Sequence, residues 1–191
     1  MNKIRIVLLI ASSFLIMGAI FGPIRTQLDY RAKTQKNVNN KDIKVYVSNV
    51  NDERESKSEI IGEAYNNYGM QLQQLMQPEE MMRKLTEIIQ SEFGAAGYSI
   101  VEEGKHDMRV DAKLEEFQCS SKNITGQASI KIHFVITDKS EEVLNDSYSA
   151  SEEGRGLFAL SNAAYCNVAV DNAIRKLTSK FMKDMNDYSG S

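Results

Sequence analysis

The chain has 191 residues and a formal net charge of −3, with 42% hydrophobic and 26% charged residues. This balance is typical of a globular protein with a real core, and it excludes a disordered or fibrous chain. A mildly acidic chain matches nucleic acid poorly, because phosphates select basic patches, so we expect no nucleic-acid partner.

The N-terminus has the features of an export signal. Residues 1–5 carry two positive charges, and residues 6–21 form an uncharged, mostly apolar run of 16 residues. As a helix this run would reach about 24 Å, less than the ~30 Å core of a bilayer, so a cleaved signal peptide and an uncleaved membrane anchor both stay open for residues 1–25. Residues 26–41 are polar and predict a tether. We expect a periplasmic domain that is either released or held at the inner membrane by its N-terminal segment.

The folded part begins with a predicted strand and helix. Residues 43–48 alternate apolar and polar side chains, which is the period of a half-buried strand. Residues 51–77 contain few large apolar side chains and predict a long surface loop, with or without a short extra element. A helix is expected from Pro78 to Gly97, with proline in the first turn and glycine as the C-terminal cap. Its apolar face is formed by Met81, Met82, Leu85, Ile88, Ile89, Phe93 and Ala96.

Four strands and a second helix follow. The strands are predicted at 98–101, 108–117, 130–136 and 143–150, with a polar connection at 119–126 and a turn at 138–142. The second helix is predicted at 161–185. We therefore expect one α+β domain at 42–187, with a tail at 188–191. Its sheet is mostly antiparallel with about five strands, and two helices pack on one face in the order β-α-β-β-β-β-α.

The two cysteines, Cys119 and Cys166, have no spacing typical of a zinc site. In an oxidising compartment they would form one disulfide, which in the chain-entropy model stabilises by about 3 to 4 kcal/mol for a loop of this length. The alternative is a pair of small buried hydrophobic side chains. The sequence leaves both interpretations open.

Candidate binding residues occur in two places. Asp52, Glu53 and Arg54 follow the first strand as a charged cluster, where they form either a structural turn or a partner contact. Adaptable apolar side chains in the long loop, Tyr65, Tyr68 and Met70, suit either a binding surface or packing on the domain. The segment Gly154–Gly156 is expected to be a turn.

No arrangement in the sequence is typical of catalysis. No nucleophile or activating base accompanies the Asp52 cluster, and His106 and His133 lack metal-ligand spacing. We therefore expect no enzyme activity, no catalytic residues, no metal site and no cofactor.

Several stretches resemble the YajG family of small bacterial envelope lipoproteins. They are the strand and charged exit at 45–54, the helix-to-strand passage at 85–100, and the C-terminal stretches at 148–154, 161–162, 169–170, 177–178 and 184–185. The resemblance implies an α+β domain outside the cytoplasm whose role is poorly defined in the family. It departs from the family in one respect, because no cysteine that could carry a lipid occurs before Cys119.

The sequence favours a non-enzymatic envelope protein that binds another protein component of the envelope as an accessory or structural subunit. The alternative is a carrier for a lipid or another small apolar molecule, held between the sheet and the helices. A hydrolase that uses Asp52 or Glu53 is the least favoured hypothesis.

Overall fold

The computed structural model describes residues 30–32, 42–55, 61–65, 71–122, 125–155 and 162–189. The predicted signal or anchor at 1–25 lies outside these residues. Side chains of 61–65, 71–76, 121–122, 162–163 and 189 are likewise not described.

Eight strands and two helices lie in the described part of the chain. Before the first helix come β1 (Lys44–Val47), β2 (Asn51–Asp52), β3 (Ile61–Tyr65) and β4 (Gln71–Met76). The rest are α1 (Pro78–Ala96), β5 (Ser99–Ile100), β6 (Met108–Lys122), β7 (Thr125–Asp138), β8 (Glu141–Gly154) and α2 (Asn162–Ser189).

Three long strands dominate the main sheet. β6, β7 and β8 form an antiparallel meander. Lys139 and Ser140, at φ 46° and 75°, make the two-residue turn between β7 and β8, and such positive φ values match the right-handed twist of a hairpin. β1 and β2 pair with β6 in parallel, and β1 also pairs with β5, so the order is β5-β1-β6-β7-β8. The predicted α+β class and its antiparallel meander are therefore confirmed. The short strands β1, β2 and β5 add parallel pairing on one side of the meander.

Both helices bury their apolar stripes in a single core. Phe93 of α1 and Phe181 of α2 meet with ring centroids 5.7 Å apart, and Phe181 stacks on Phe134 of β7 at 3.9 Å. Phe93, Phe134 and Phe181 are each at most 1% exposed. The space between the helices and the sheet is thus filled by aromatic and aliphatic side chains.

A β-bulge in β6 changes which residues face this core. Leu114 pairs with Ile132 and Glu116 with Lys131, so Glu115 is the extra residue. Before the bulge the even-numbered residues of β6 are buried, whereas after it the inward positions are Phe117 and Cys119. The bulge therefore turns Cys119 toward α2.

The first turns of α2 approach the sheet closely at a pair of glycines. Gly126 of β7 pairs with Gly154 of β8. A Cβ atom added at Gly126 would lie 2.3 Å from the backbone oxygen of Tyr165, and one at Gly154 would lie 2.3 Å from the backbone nitrogen of Ala169. Beside them Cys119 and Cys166 form a disulfide, with Cα atoms 6.0 Å apart. The glycines let the helix backbone come near enough for this bridge.

Four sequence predictions were wrong in detail. The loop expected at 51–77 contains β2 and the antiparallel hairpin β3–β4, whose alternation is hidden because β4 is rich in glutamine. The connection expected at 119–126 is mostly the paired ends of β6 and β7. The tail expected from residue 188 belongs in part to α2, which ends at Ser189. Tyr30, in the predicted tether, packs against the core.

We predict that Gly126→Ala lowers the free energy of unfolding by about 1 to 3 kcal/mol, because its methyl group would overlap the backbone of α2. Gly94→Ala is the matched control, since Gly94 lies in α1 with nothing within 4 Å of its added Cβ. It should gain about 0.5 to 1 kcal/mol from helix propensity. Urea denaturation of the full chain measures both, and a Gly126→Ala protein as stable as the parent would contradict the close approach.

Candidate functional site

The charged side chains of the predicted cluster after the first strand make two separate contacts. Arg54 is 6% exposed and binds Asp52 through two contacts, Nε to Oδ1 at 2.8 Å and Nη2 to Oδ2 at 2.7 Å. Glu53 instead reaches Lys113 of β6, with Nζ and Oε1 3.0 Å apart. The Asp52–Arg54 pair therefore holds the exit of β2 together, and Glu53 is the member of the cluster that extends toward β6.

Of the other predicted binding residues, Tyr65 alone belongs to an element of the described part of the chain. Tyr65 ends β3, but its side chain lies outside the described part, and Tyr68 and Met70 lie outside it altogether. Their role in partner binding stays a prediction.

A polar cluster that sequence reasoning missed lies on the sheet face opposite the helices, which we call the open face. It joins Glu115 of β6, Lys131 and His133 of β7, and Ser147 of β8. Lys131 Nζ lies 2.9 Å from Glu115 Oε2, Ser147 Oγ donates to the same oxygen at 3.1 Å, and His133 Nδ1 lies 3.0 Å from Ser147 Oγ. Glu115 belongs to this face because it follows the inward-facing Leu114, just as Asp111 and Lys113 alternate with the inward residues before it.

The electrostatics of this cluster favour an ionised carboxylate. The hydrogen bond from Lys131 outweighs partial burial and, with the hydrogen bond from Ser147, lowers the pKa of Glu115. The same pair raises the pKa of Lys131. The cluster is thus a stable ion pair at neutral pH.

Its proton arrangement is unsuited to nucleophilic catalysis. Ser147 has one hydroxyl hydrogen, and the ionised Glu115 accepts it, so His133 Nδ1 must be the donor in its contact with Ser147. A histidine in that role cannot remove the serine proton, and a carboxylate with a lowered pKa is a weak base. The cluster instead presents polar groups on a surface.

A second group of charges lies on β6 near its N-terminal end. Arg109 contacts Asp111 at 2.8 and 3.0 Å and Glu103 at 3.2 Å, and its guanidinium lies 5.6 Å from the centre of the Tyr46 ring. The hydrogen bond that Arg109 donates to Asp111 raises the pKa of Arg109. Burial alone would raise the pKa of Asp111, but the interactions with Arg109, Ser48 and His106 together outweigh it and lower that pKa. His106 packs against Tyr46 with ring centroids 5.4 Å apart.

Within the described ranges, no group of three or more histidine, cysteine, aspartate or glutamate side chains is arranged to hold a metal ion. Among the helices described, neither α1 nor α2 is long and apolar enough to cross a membrane.

The model of the Lipoprotein_16 family, described as uncharacterized lipoprotein, matches residues 31–186. The chain belongs to this YajG-like lipoprotein family. The match spans nearly the whole described domain, which confirms the resemblance carried by the strand exit at 45–54 and the C-terminal stretches.

Solved structures share the fold at low identity. A Xanthomonas campestris protein of the DUF330 family is 13% identical with a TM-score of 0.56, covering 84% of this chain and 96% of its own. The hypothetical protein CT253 of Chlamydia trachomatis is 9% identical with a TM-score of 0.53, covering 76% of this chain and 96% of its own. No curated protein matches the chain in sequence. These similarities establish the fold alone.

We predict that Asp52→Ala costs about 3 kcal/mol of unfolding free energy, because it removes the carboxylate that pairs with the buried Arg54 guanidinium. The double variant Asp52→Ala/Arg54→Met should recover most of this loss, since it also removes the buried charge. Chemical denaturation of the parent, the two single variants Asp52→Ala and Arg54→Met, and the double variant measures the coupling. Equal stability of the parent and Asp52→Ala would show that the pair contributes nothing.

The lowered pKa of Glu115 predicts a pH dependence of stability. A carboxyl group whose folded pKa is depressed stabilises the fold above its unfolded pKa, here 4.5, and loses that contribution as the pH falls through the folded value. Glu115→Gln should therefore be less stable than the parent at neutral pH and approach it below about pH 4. Urea midpoints across this range test this, and Lys131→Met should show the same convergence because Lys131 is the main cause of the shift.

Proposed function

We propose that the chain is a non-enzymatic envelope protein that acts by binding another protein of the envelope, as an accessory or structural subunit. The observation that carries the proposal is the open face. Its cluster of Glu115, Ser147 and His133 comes closest to a catalytic arrangement there, and the directions of its hydrogen bonds are unsuited to catalysis. Membership of a lipoprotein family supports placement in the envelope.

The charges of the open face suit a protein partner. Glu115 is paired with Lys131, Asp111 with Arg109, and Glu53 with Lys113, so both signs alternate across the surface. Mixed and paired charges of this kind favour a specific, non-obligate protein contact, whereas a nucleic acid would require a basic excess.

The edge of the sheet at β8 is protected against strand addition. Lys180 donates to the carbonyl oxygen of Ser149 at 3.0 Å, and Asn172 donates to that of Glu153 at 3.1 Å. The Asp146 carboxylate accepts the backbone N–H of Ser147 at 2.7 Å. Because these groups of β8 are already bonded, we infer that a partner contacts side chains of the face rather than adding a strand along β8.

A carrier function is less well supported. The apolar space between the two layers is filled by Phe93, Phe134 and Phe181 and by the aliphatic side chains around them. A lipid would have to displace well-packed rings, so we place the carrier hypothesis second.

We propose that the domain is periplasmic and that residues 1–25 serve as its membrane attachment if they are retained. The two cysteines of the chain are bonded to each other, so no thiol is left to carry a lipid. A disulfide also suits an oxidising compartment.

Photo-crosslinking in cells tests the partner. A crosslinking residue at Ser151, exposed on the open face, should give a discrete adduct with one envelope protein, and the same residue at Ser179, exposed on α2, should not. Both variants replace a surface serine, so they differ in position alone. If the variant with the crosslinking residue at position 151 gives no adduct in cells that express it at native level, the proposal is contradicted.

A further inference from the structure

Residues 30–32 contact the helix layer at a site that no sequence pattern indicated. The Tyr30 hydroxyl donates to the Glu92 carboxylate of α1 and lies 2.9 Å from Thr178 Oγ1 of α2. The Arg175 guanidinium lies 4.6 Å from the centre of the Tyr30 ring, a cation–π distance, and its Nη1 donates to the carbonyl oxygen of Arg31 at 2.7 Å. The segment is therefore held by side chains of both helices, one of which also binds the backbone of the segment.

Two of the residues that hold Tyr30 are buried polar groups. Glu92 and Thr178 are each 3% exposed, and Glu92 lies beside the core residue Phe93. A buried carboxylate is costly unless it is bonded, so its position opposite a tyrosine hydroxyl indicates a specific contact rather than incidental packing. Asp171 holds the Arg175 guanidinium in place through contacts of 2.8 and 3.2 Å.

The contact remains formed at physiological pH. Burial, with the hydrogen bond to Glu92, raises the pKa of Tyr30, so its hydroxyl keeps its proton and stays a donor.

We propose that the groove between α1 and α2 is the docking surface for the membrane-proximal segment of this chain, and that Tyr30 is the residue that clamps it. Its consequence is a limit on reach. Eight residues separate the apolar run from Tyr30, and they span at most about 28 Å, whereas the 20 residues from Gly22 to Lys41 would span at most about 70 Å. The clamp thus keeps the helix layer near the membrane and leaves the open face for the partner.

The reach limit rests on the proposed function, since it requires the N-terminal segment to stay in a membrane. The contact itself does not. The two can therefore fail separately, and the experiment has one readout for each.

The first readout is limited trypsin digestion of the full chain in detergent with its disulfide intact. Cleavage after Arg31 requires release of the carbonyl group that Arg175 holds. Tyr30→Ala should raise the rate of cleavage after Arg31, relative to cleavage after Lys36 in the same molecule, at least tenfold. Tyr30→Phe, which keeps the ring and loses the hydroxyl, should give a smaller rise. Tyr188→Ala, the same change at an exposed position of α2, should give none.

Equal cleavage ratios in the parent and Tyr30→Ala would overturn the clamp. A Tyr30→Ala protein that is cut faster at every site would indicate global unfolding. In that case the Tyr30→Phe variant decides, because an unchanged ratio of cleavage after Arg31 to cleavage after Lys36 in that variant would also overturn the clamp.

The second readout is the distance of a fluorescent probe at Lys183 from the bilayer, measured by lipid-attached quenchers with the full chain in phospholipid vesicles. Release of Tyr30 by Tyr30→Ala should weaken quenching at least twofold. Unchanged quenching together with the tenfold change in cleavage would overturn the reach limit and the retained anchor, while the docking surface would stand.

Discussion

The bulge at Glu115 is the constraint on which the rest of the domain depends. A strand alternates its side chains between two faces, so a single extra residue reverses every later position. In β6 this reversal turns Cys119 into the core, where it bonds Cys166, and turns Glu116 to the open face opposite Lys131. Without the bulge the inward positions after Leu114 would be Glu116 and Gln118, which are polar. One insertion therefore makes the covalent link to α2 possible and keeps two polar side chains out of the core.

The attachment of α2 follows from that link and from the cross-strand glycine pair. At Gly126 and Gly154 no side-chain atom separates the helix backbone from the sheet, and the disulfide links the two nearby. Farther along the helix, Phe181 stacks on Phe134, and Tyr148 donates to Asp184 at 2.8 Å. Because α2 is held at its start by close backbone contact and later by ring packing, it covers one face firmly and leaves the other accessible.

Periodicity in the sequence predicted the elements whose apolar residues recur regularly. α1 was predicted because Leu85, Ile88 and Phe93 fall on one stripe after Pro78, and the structure has the helix at those bounds. The hairpin β3–β4 was missed because its glutamines hide the alternation. The shift from even to odd buried positions between Leu114 and Phe117 was visible in the sequence and would have indicated the bulge. The open-face cluster was not visible, since its members meet only through strand register.

Three ionic or polar contacts each fix a part of the domain that apolar packing alone would not position. Asp52 and Arg54 hold the chain where it leaves β2, Glu115 and Lys131 span two strands of the open face, and Glu92 receives Tyr30 between the helices. A buried polar pair is often no more stabilising than apolar side chains of the same volume, but it can fix one arrangement. A domain made only of the apolar core could fold, but its N-terminal segment would have no preferred docking position. The Glu92 contact supplies that position, and under the proposed function the helices face the chain's own tether while the open face of the sheet is left for a partner.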